Sequence, residues 1–213
     1  SQVDVEVVFR VGAITDPEGR EGLTRLAARL ARRGPKGMSA ERFDETLDAL
    51  GATLGVGVST EWIRVHGSVI RRNLEPYLEL LGRILREPGM RAADFARLRR
   101  KTEAELVQLR DHDRALAGRA FRGQLFGAHP YGRPVSGTLE TVSEMKLAEV
   151  KAHFASLAVS GNLIVGLAGD VTEETVRDAI EGALAGLPEA KATRARAPKP
   201  RAKRGRRVLL VDK

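Results

Sequence analysis

Cysteine is absent from this chain of 213 residues. That excludes a disulfide framework, a thiolate-held metal and a cysteine nucleophile, and leaves the compartment open. No apolar run approaches the roughly 18–20 residues that a membrane-spanning helix needs. The opening residues Ser1-Gln2-Val3-Asp4 lack the basic-then-apolar layout of a signal peptide. Histidine is scarce: His66, His112, His129 and His153 are the four in the chain, and no two stand four apart on one helix. A helical zinc pair is therefore excluded. There is no Gly-x-Ser-x-Gly elbow, no phosphate-binding Walker loop and no dinucleotide fingerprint.

What is present is an ordinary globular balance, with 42% hydrophobic and 30% charged residues. A chain of this length buries a sizeable core as one large domain or two small ones. The formal charge is +8 and the pI about 10.3, which invites a nucleic-acid reading. Yet nine Lys and Arg lie between Lys191 and Arg207 with no acid among them, and taking these nine from +8 leaves the remainder at −1. The basicity belongs to an Ala/Pro/Lys/Arg linker over residues 188–206, solvated and self-repelling. It reads as a tether, with binding to nucleic acid or an anionic surface as the alternative.

The periodicities predict an α+β layered fold, with helices outnumbering strands and no regular alternation of the two. Val3 to Val11 alternates as a half-buried strand. Gly22 to Arg33 carries an apolar stripe of Leu23, Leu26, Ala27, Leu30 and Ala31, as a helix does. Ser39 caps a helix from Ala40 to Leu50. Strands are expected over residues 53–59, Gly-punctuated as at a sheet edge, and over 61–70. Helices follow over 74–86, 92–109 and 116–126, and a single helix over 143–157. Leu163 to Gly169 reads as a buried strand, Thr172 caps a last helix to about Ala185, and residues 207–213 look like the first strand of a second domain. In this layout His66 lies on a strand and His153 on a helix, ordinary surface or core positions. His129 is a turn residue before Pro130. The bare residues assemble no catalytic centre.

The order of segments carries more. It runs from Val11-Gly12-Ala13 with Pro17-Glu18-Gly19 and Gly22-Leu23, through Leu50-Gly51-Ala52, to His129-Pro130-Tyr131-Gly132-Arg133-Pro134 with Gly137-Thr138. Asn162-Leu163 and Gly169-Asp170-Val171 complete it. This series resembles the N-terminal domain of the insulinase/pitrilysin zinc peptidases, relatives of the mitochondrial processing peptidase, over nearly the whole chain. The resemblance implies a two-layer sandwich of a mostly antiparallel sheet against helices over 1–187, an opening strand upstream of Ser1, and a second half beyond the linker.

In active members the helix after Gly-Leu carries H-x-x-E-H: two zinc-ligating histidines and a glutamate that acts as general base. A glutamate on a later helix completes the site. The matching positions here are Arg25, Ala28 and Arg29, with Glu105 at the third-ligand position, 76 residues past Arg29. A guanidinium has no lone pair for a metal and a methyl group takes no proton. The resemblance thus implies a chain with no catalytic residues, no metal and no cofactor of its own. Glu105 is either a solvated helix carboxylate or a partner for Arg25 or Arg29. Residues Gly55, Val56, Gly57 and Val58 match the edge strand that takes substrate peptide by strand addition, although Gly55-Val56 replaces the family's usual Asn-Ala.

The expected role is that of a non-catalytic, peptide-binding or chamber-closing subunit beside a zinc-bearing H-x-x-E-H partner. Bacterial members often form such pairs, and the resemblance favours a periplasmic or secreted setting, with a cytoplasmic one as the alternative. The alternative is an active zinc peptidase whose ligands have moved to His66, His112 or His129.

Overall fold

The computed structural model describes residues 1–192, 197–200 and 205–211. Its elements are β1 (Gln2–Phe9), α1 (Leu23–Ala31), α2 (Ala40–Ala49), β2 (Gly55–Val58), β3 (Ile63–Ile70), α3 (Leu74–Arg86), α4 (Ala92–Gln108), α5 (Asp113–Phe126), α6 (Leu139–Glu144), α7 (Leu147–Leu157), β4 (Leu163–Gly169) and α8 (Glu173–Leu184). The strands form one antiparallel sheet in the order β2-β3-β1-β4. Alternation in β1 buries Val3, Val5, Val7 and Phe9 on one face, joined by Ile63, Val65 and Val69 of β3. On the other face Arg64 and Glu6 form an ion pair at 2.6 Å. A sheet with one apolar face needs one helical layer, and the helices supply it, giving the α+β sandwich that the sequence predicts.

Two local expectations need correction. Leu163 to Gly169 is not an inner strand: β4 pairs with β1 and forms the second edge, with Ile164 53% exposed. The single helix expected over 143–157 is two. It breaks at Met145, whose backbone is extended, and α7 restarts where the Glu149 carboxylate accepts from the Lys146 N–H at 2.8 Å. Of the strand expected over 207–213, residues 212–213 lie outside the described residues and 207–211 have no neighbouring strand among those described; residues 193–196 and 201–204 of the basic linker also lie outside the described residues.

Helix α1 is the element that positions everything of interest. Leu23, Leu26 and Leu30 are buried, and the helix packs against α4, α7 and β2. Its N-cap residue Gly22 sits at φ 95° and offers no side chain. Asp16, from the preceding loop, caps the helix instead. Its carboxylate accepts from Gly22 N–H (2.9 Å), Thr24 N–H (2.8 Å) and the Thr24 hydroxyl (2.6 Å). The Thr24 hydroxyl has one proton and gives it to Asp16, so His153 Nε2–H on α7 donates to Thr24 Oγ1 at 2.8 Å. Burial pushes the Asp16 carboxyl up to about 6 against the pull of the Thr24 bonds, and burial also lowers His153. The sequence marks Asp16 only as turn chemistry; its cap becomes visible only when the loop closes on the helix.

Candidate functional site: a charge clamp beside an edge strand

Positions 25 and 29 lie four apart on α1 and share one face. Position 105 lies on α4, which α1 packs against. The two arginines and Glu105 meet there. Arg29 grips the carboxylate with both terminal nitrogens, Nη2 to Oε1 at 2.8 Å and Nη1 to Oε2 at 2.9 Å, and Nη1 also donates to Thr102 Oγ1 at 3.1 Å. Arg25 Nη2 adds a longer bond to Oε2 at 3.4 Å. Of the two roles open to Glu105, the structure gives the second: it is the shared anion of two guanidinium groups. Burial alone would raise its carboxyl, but the bonds and charge of Arg29, with those of Arg25, hold it below the usual carboxylate range. Burial, and then repulsion from Arg29, lowers Arg25.

Ala28, between the two arginines, is 3% exposed and part of the apolar core. The set therefore does not fit zinc. It offers one carboxylate, two groups without lone pairs, and a methyl facing the interior. The moved-ligand alternative finds no better set. His66 stands over Gly55 on the outer sheet face, where a Cβ at 55 would come within 2.6 Å of its Nε2. His129 packs between Phe126 and Tyr131 and accepts the Tyr131 N–H at Nδ1 (3.2 Å). His112 precedes α5. Among the described residues no three His, Cys, Asp or Glu side chains converge as a metal would require.

Strand β2 is the sheet edge expected at 53–59, shortened to Gly55–Val58. It pairs with β3 alone, from Gly55 opposite His66 to Val58 opposite Ile63. Its other side has no strand beside it among the described residues. Arg32, just past the end of α1, fixes the approach to this strand. It donates from Nε to Leu54 O (3.2 Å) and pairs with Asp44 of α2 at 2.5 Å.

The profile of the insulinase family (peptidase family M16) matches residues 1–139. The chain belongs to this family. Among curated members, the non-peptidase homolog YmxG of Helicobacter pylori is 25% identical over 188 residues, 88% of this chain and 44% of that protein. An uncharacterized zinc protease of Mycobacterium leprae is 30% identical over 131 residues, 61% of this chain and 29% of its own. The chain thus spans less than half the length of these relatives. In fold it is similar to a peptidase M16 inactive domain from Pseudomonas fluorescens, with TM-score 0.88 at 22% identity over 94% of this chain and 48% of that one. Pitrilysin aligns with TM-score 0.78 at 19% identity over 88% of this chain and 21% of its own. The relatives and the donor set together mark an inactive insulinase-family domain, consistent with a non-catalytic role. No helix among the described residues is long and apolar enough to cross a membrane.

The clamp makes a stability prediction. Glu105→Gln leaves two half-buried guanidinium groups facing each other and should lower stability by about 1–2 kcal/mol, a figure reduced for partial solvent screening. Replacing both ends, Arg29→Met with Glu105→Leu, should bring urea-unfolding stability back to within about 1 kcal/mol of the parent. A double variant weaker than the single one would show that the clamp contributes net stability.

Proposed function

We propose that this domain serves as the non-catalytic part of an insulinase-family peptidase assembly. In this reading it holds peptide along β2, while a second subunit with an intact H-x-x-E-H motif provides zinc and cuts. The observation that carries the reading is the two-pronged Arg29–Glu105 bond at the positions where active relatives place a metal ligand pair. Two features support the peptide part: β2 has a free edge, and the Arg32 bond to Leu54 O fixes the chain that leads into it. Support for the partnership comes from family pattern and from solved neighbours that are halves of longer proteins. One of these is described as the first half of the periplasmic protease PqqL from Escherichia coli, with TM-score 0.84 at 17% identity.

The test is a reconstitution. Purified alone, the protein is expected to contain no stoichiometric zinc by metal analysis and to cleave no casein or unstructured peptide. Mixed with an H-x-x-E-H homologue from the same genome, it is expected to co-elute with it and to raise its chelator-sensitive turnover. One zinc per chain with cleavage by the protein alone would overturn the non-catalytic reading. Inertness both alone and in the mixture would overturn the partnership.

A further inference from the structure

The free edge of β2 and the arginines of α1 border the same space. A cleft of about 530 Å³ has residues 56–58 along one wall and Arg25, Arg29, Arg32, Arg33, Arg97 and Lys101 along the other. Asp94 also lines it, but its carboxylate is taken by Arg91 at 2.5 Å. The six cations share three carboxylates. Glu105 serves Arg25 and Arg29, Asp44 serves Arg32 and Arg33, and Glu41 reaches Arg97 only at 3.8 Å. Three positive charges are left over along a concave wall, where charges of one sign focus their field on the space between.

The direction of side chains matters as much as the surplus. Val56 and Val58 lie opposite Val65 and Ile63, both buried, so this face of β2 looks toward the helices. A strand added beside β2 would turn every second side chain to the same side, toward the cations, at intervals of about 6.6–6.8 Å. Arg97 and Lys101 are exposed and four apart on α4, on one face and about 6 Å apart along the axis. The two repeats are of similar length.

We propose that the cleft selects acidic peptides: an extended segment joins the free edge of β2 and places Asp or Glu at alternate positions against Arg97, Lys101 and Arg25. This rests on the reading above that β2 accepts peptide by strand addition, and names the chemistry of what is accepted. Short fluorescent peptides alternating Val with Glu, Lys or Ser serve as probes, with binding read by anisotropy at low and high salt. The Glu peptide is expected to bind roughly tenfold or more tightly than the Lys peptide, and to weaken as salt rises. Arg97→Glu with Lys101→Glu, both surface changes that leave the core untouched, should remove most of that preference. Methylating alternate backbone nitrogens of the Glu peptide, those facing β2, should abolish binding.

The ways to fail are distinguishable. Equal binding of all three peptides, still sensitive to backbone methylation, overturns the acidic preference and leaves strand addition standing. Tight binding of the Glu peptide that ignores methylation overturns strand addition, because charge alone would then hold it. Absence of binding by any peptide overturns both.

Discussion

Asp16→Ala is expected to lower stability by about 3 kcal/mol at pH 5, the cost of leaving two buried backbone N–H groups and a hydroxyl without an acceptor. For a domain of this size that corresponds to a fall in Tm of roughly 6–12 °C. The loss should depend on pH. Burial raises the Asp16 carboxyl from 3.8 to about 6, so the folded state holds its proton more firmly than the unfolded chain does. That stabilisation is fully present below about pH 4 and is lost as pH rises through about 6. The gap between parent and variant should therefore be widest near pH 4–5 and narrower at pH 8. His153 works in the opposite sense, since its pKa is lowered from 6.5 and the buried ring resists protonation as pH falls. Its Nε2 lies 3.6 Å from Asp16 Oδ1, so the comparison is made in a His153→Gln background, where the difference between the proteins with and without Asp16 reports Asp16. Urea unfolding at pH 5 and pH 8 checks this, and a gap that widens with pH would mean that the buried carboxyl is held ionised.

The second large effect concerns metal. Arg25→His, Ala28→Glu and Arg29→His, with Glu105 retained, would restore three ligands and a base, and zinc affinity should rise from nothing measurable to a Kd of about 1 µM. Closed structural zinc sites are worth about 10–16 kcal/mol, and a three-ligand site without support should fall near 8 kcal/mol. Two features keep it there. Position 28 belongs to the apolar core, so a carboxylate placed at it is desolvated and tends to stay protonated. Beyond Glu105, Arg29 bonds to the Thr102 hydroxyl, not to the carboxylate that would fix the tautomer of a ligating imidazole. Weak zinc binding with negligible peptide cleavage is the expected result, measured by competition with a chromophoric chelator and by fluorogenic peptide assay. Brisk cleavage abolished by Glu105→Gln would mean that these supports are dispensable, while still placing Glu105 at the metal.

The three members of the charge clamp were legible through the family resemblance, which matched Arg25, Arg29 and Glu105 to one site, but whether Glu105 was solvated or paired stayed open until the two helices were seen together. Helices with a clear stop, such as the one ending before Glu87-Pro88-Gly89, were legible from local sequence. Contacts made by the assembled fold were not. Met145 interrupts a helix although the apolar positions 142, 150, 154 and 157 keep their helical rhythm across it; the visible trace is Glu149, three residues past Lys146. Leu163–Gly169 has the composition of an inner strand, and only the pairing order makes it an edge. The cationic cleft was hidden because its walls come from three separate segments, within 25–33, 56–58 and 94–101, and the average charge of the chain is dominated by the linker instead.

The two-pronged bond between Arg29 and Glu105 changes what this part of the fold depends on. Helices joined through zinc are tied only while metal is supplied and their imidazoles are neutral, so chelation or acid unties them. A guanidinium keeps its charge at every pH a cell meets. A carboxyl held below its normal range keeps its own in mildly acidic surroundings. α1 and α4 are thus fastened without drawing on the metal economy of the cell. In the assembly proposed above, a zinc-bearing subunit would lose its ion during zinc starvation while the architecture around β2 stayed set, ready for a reloaded partner.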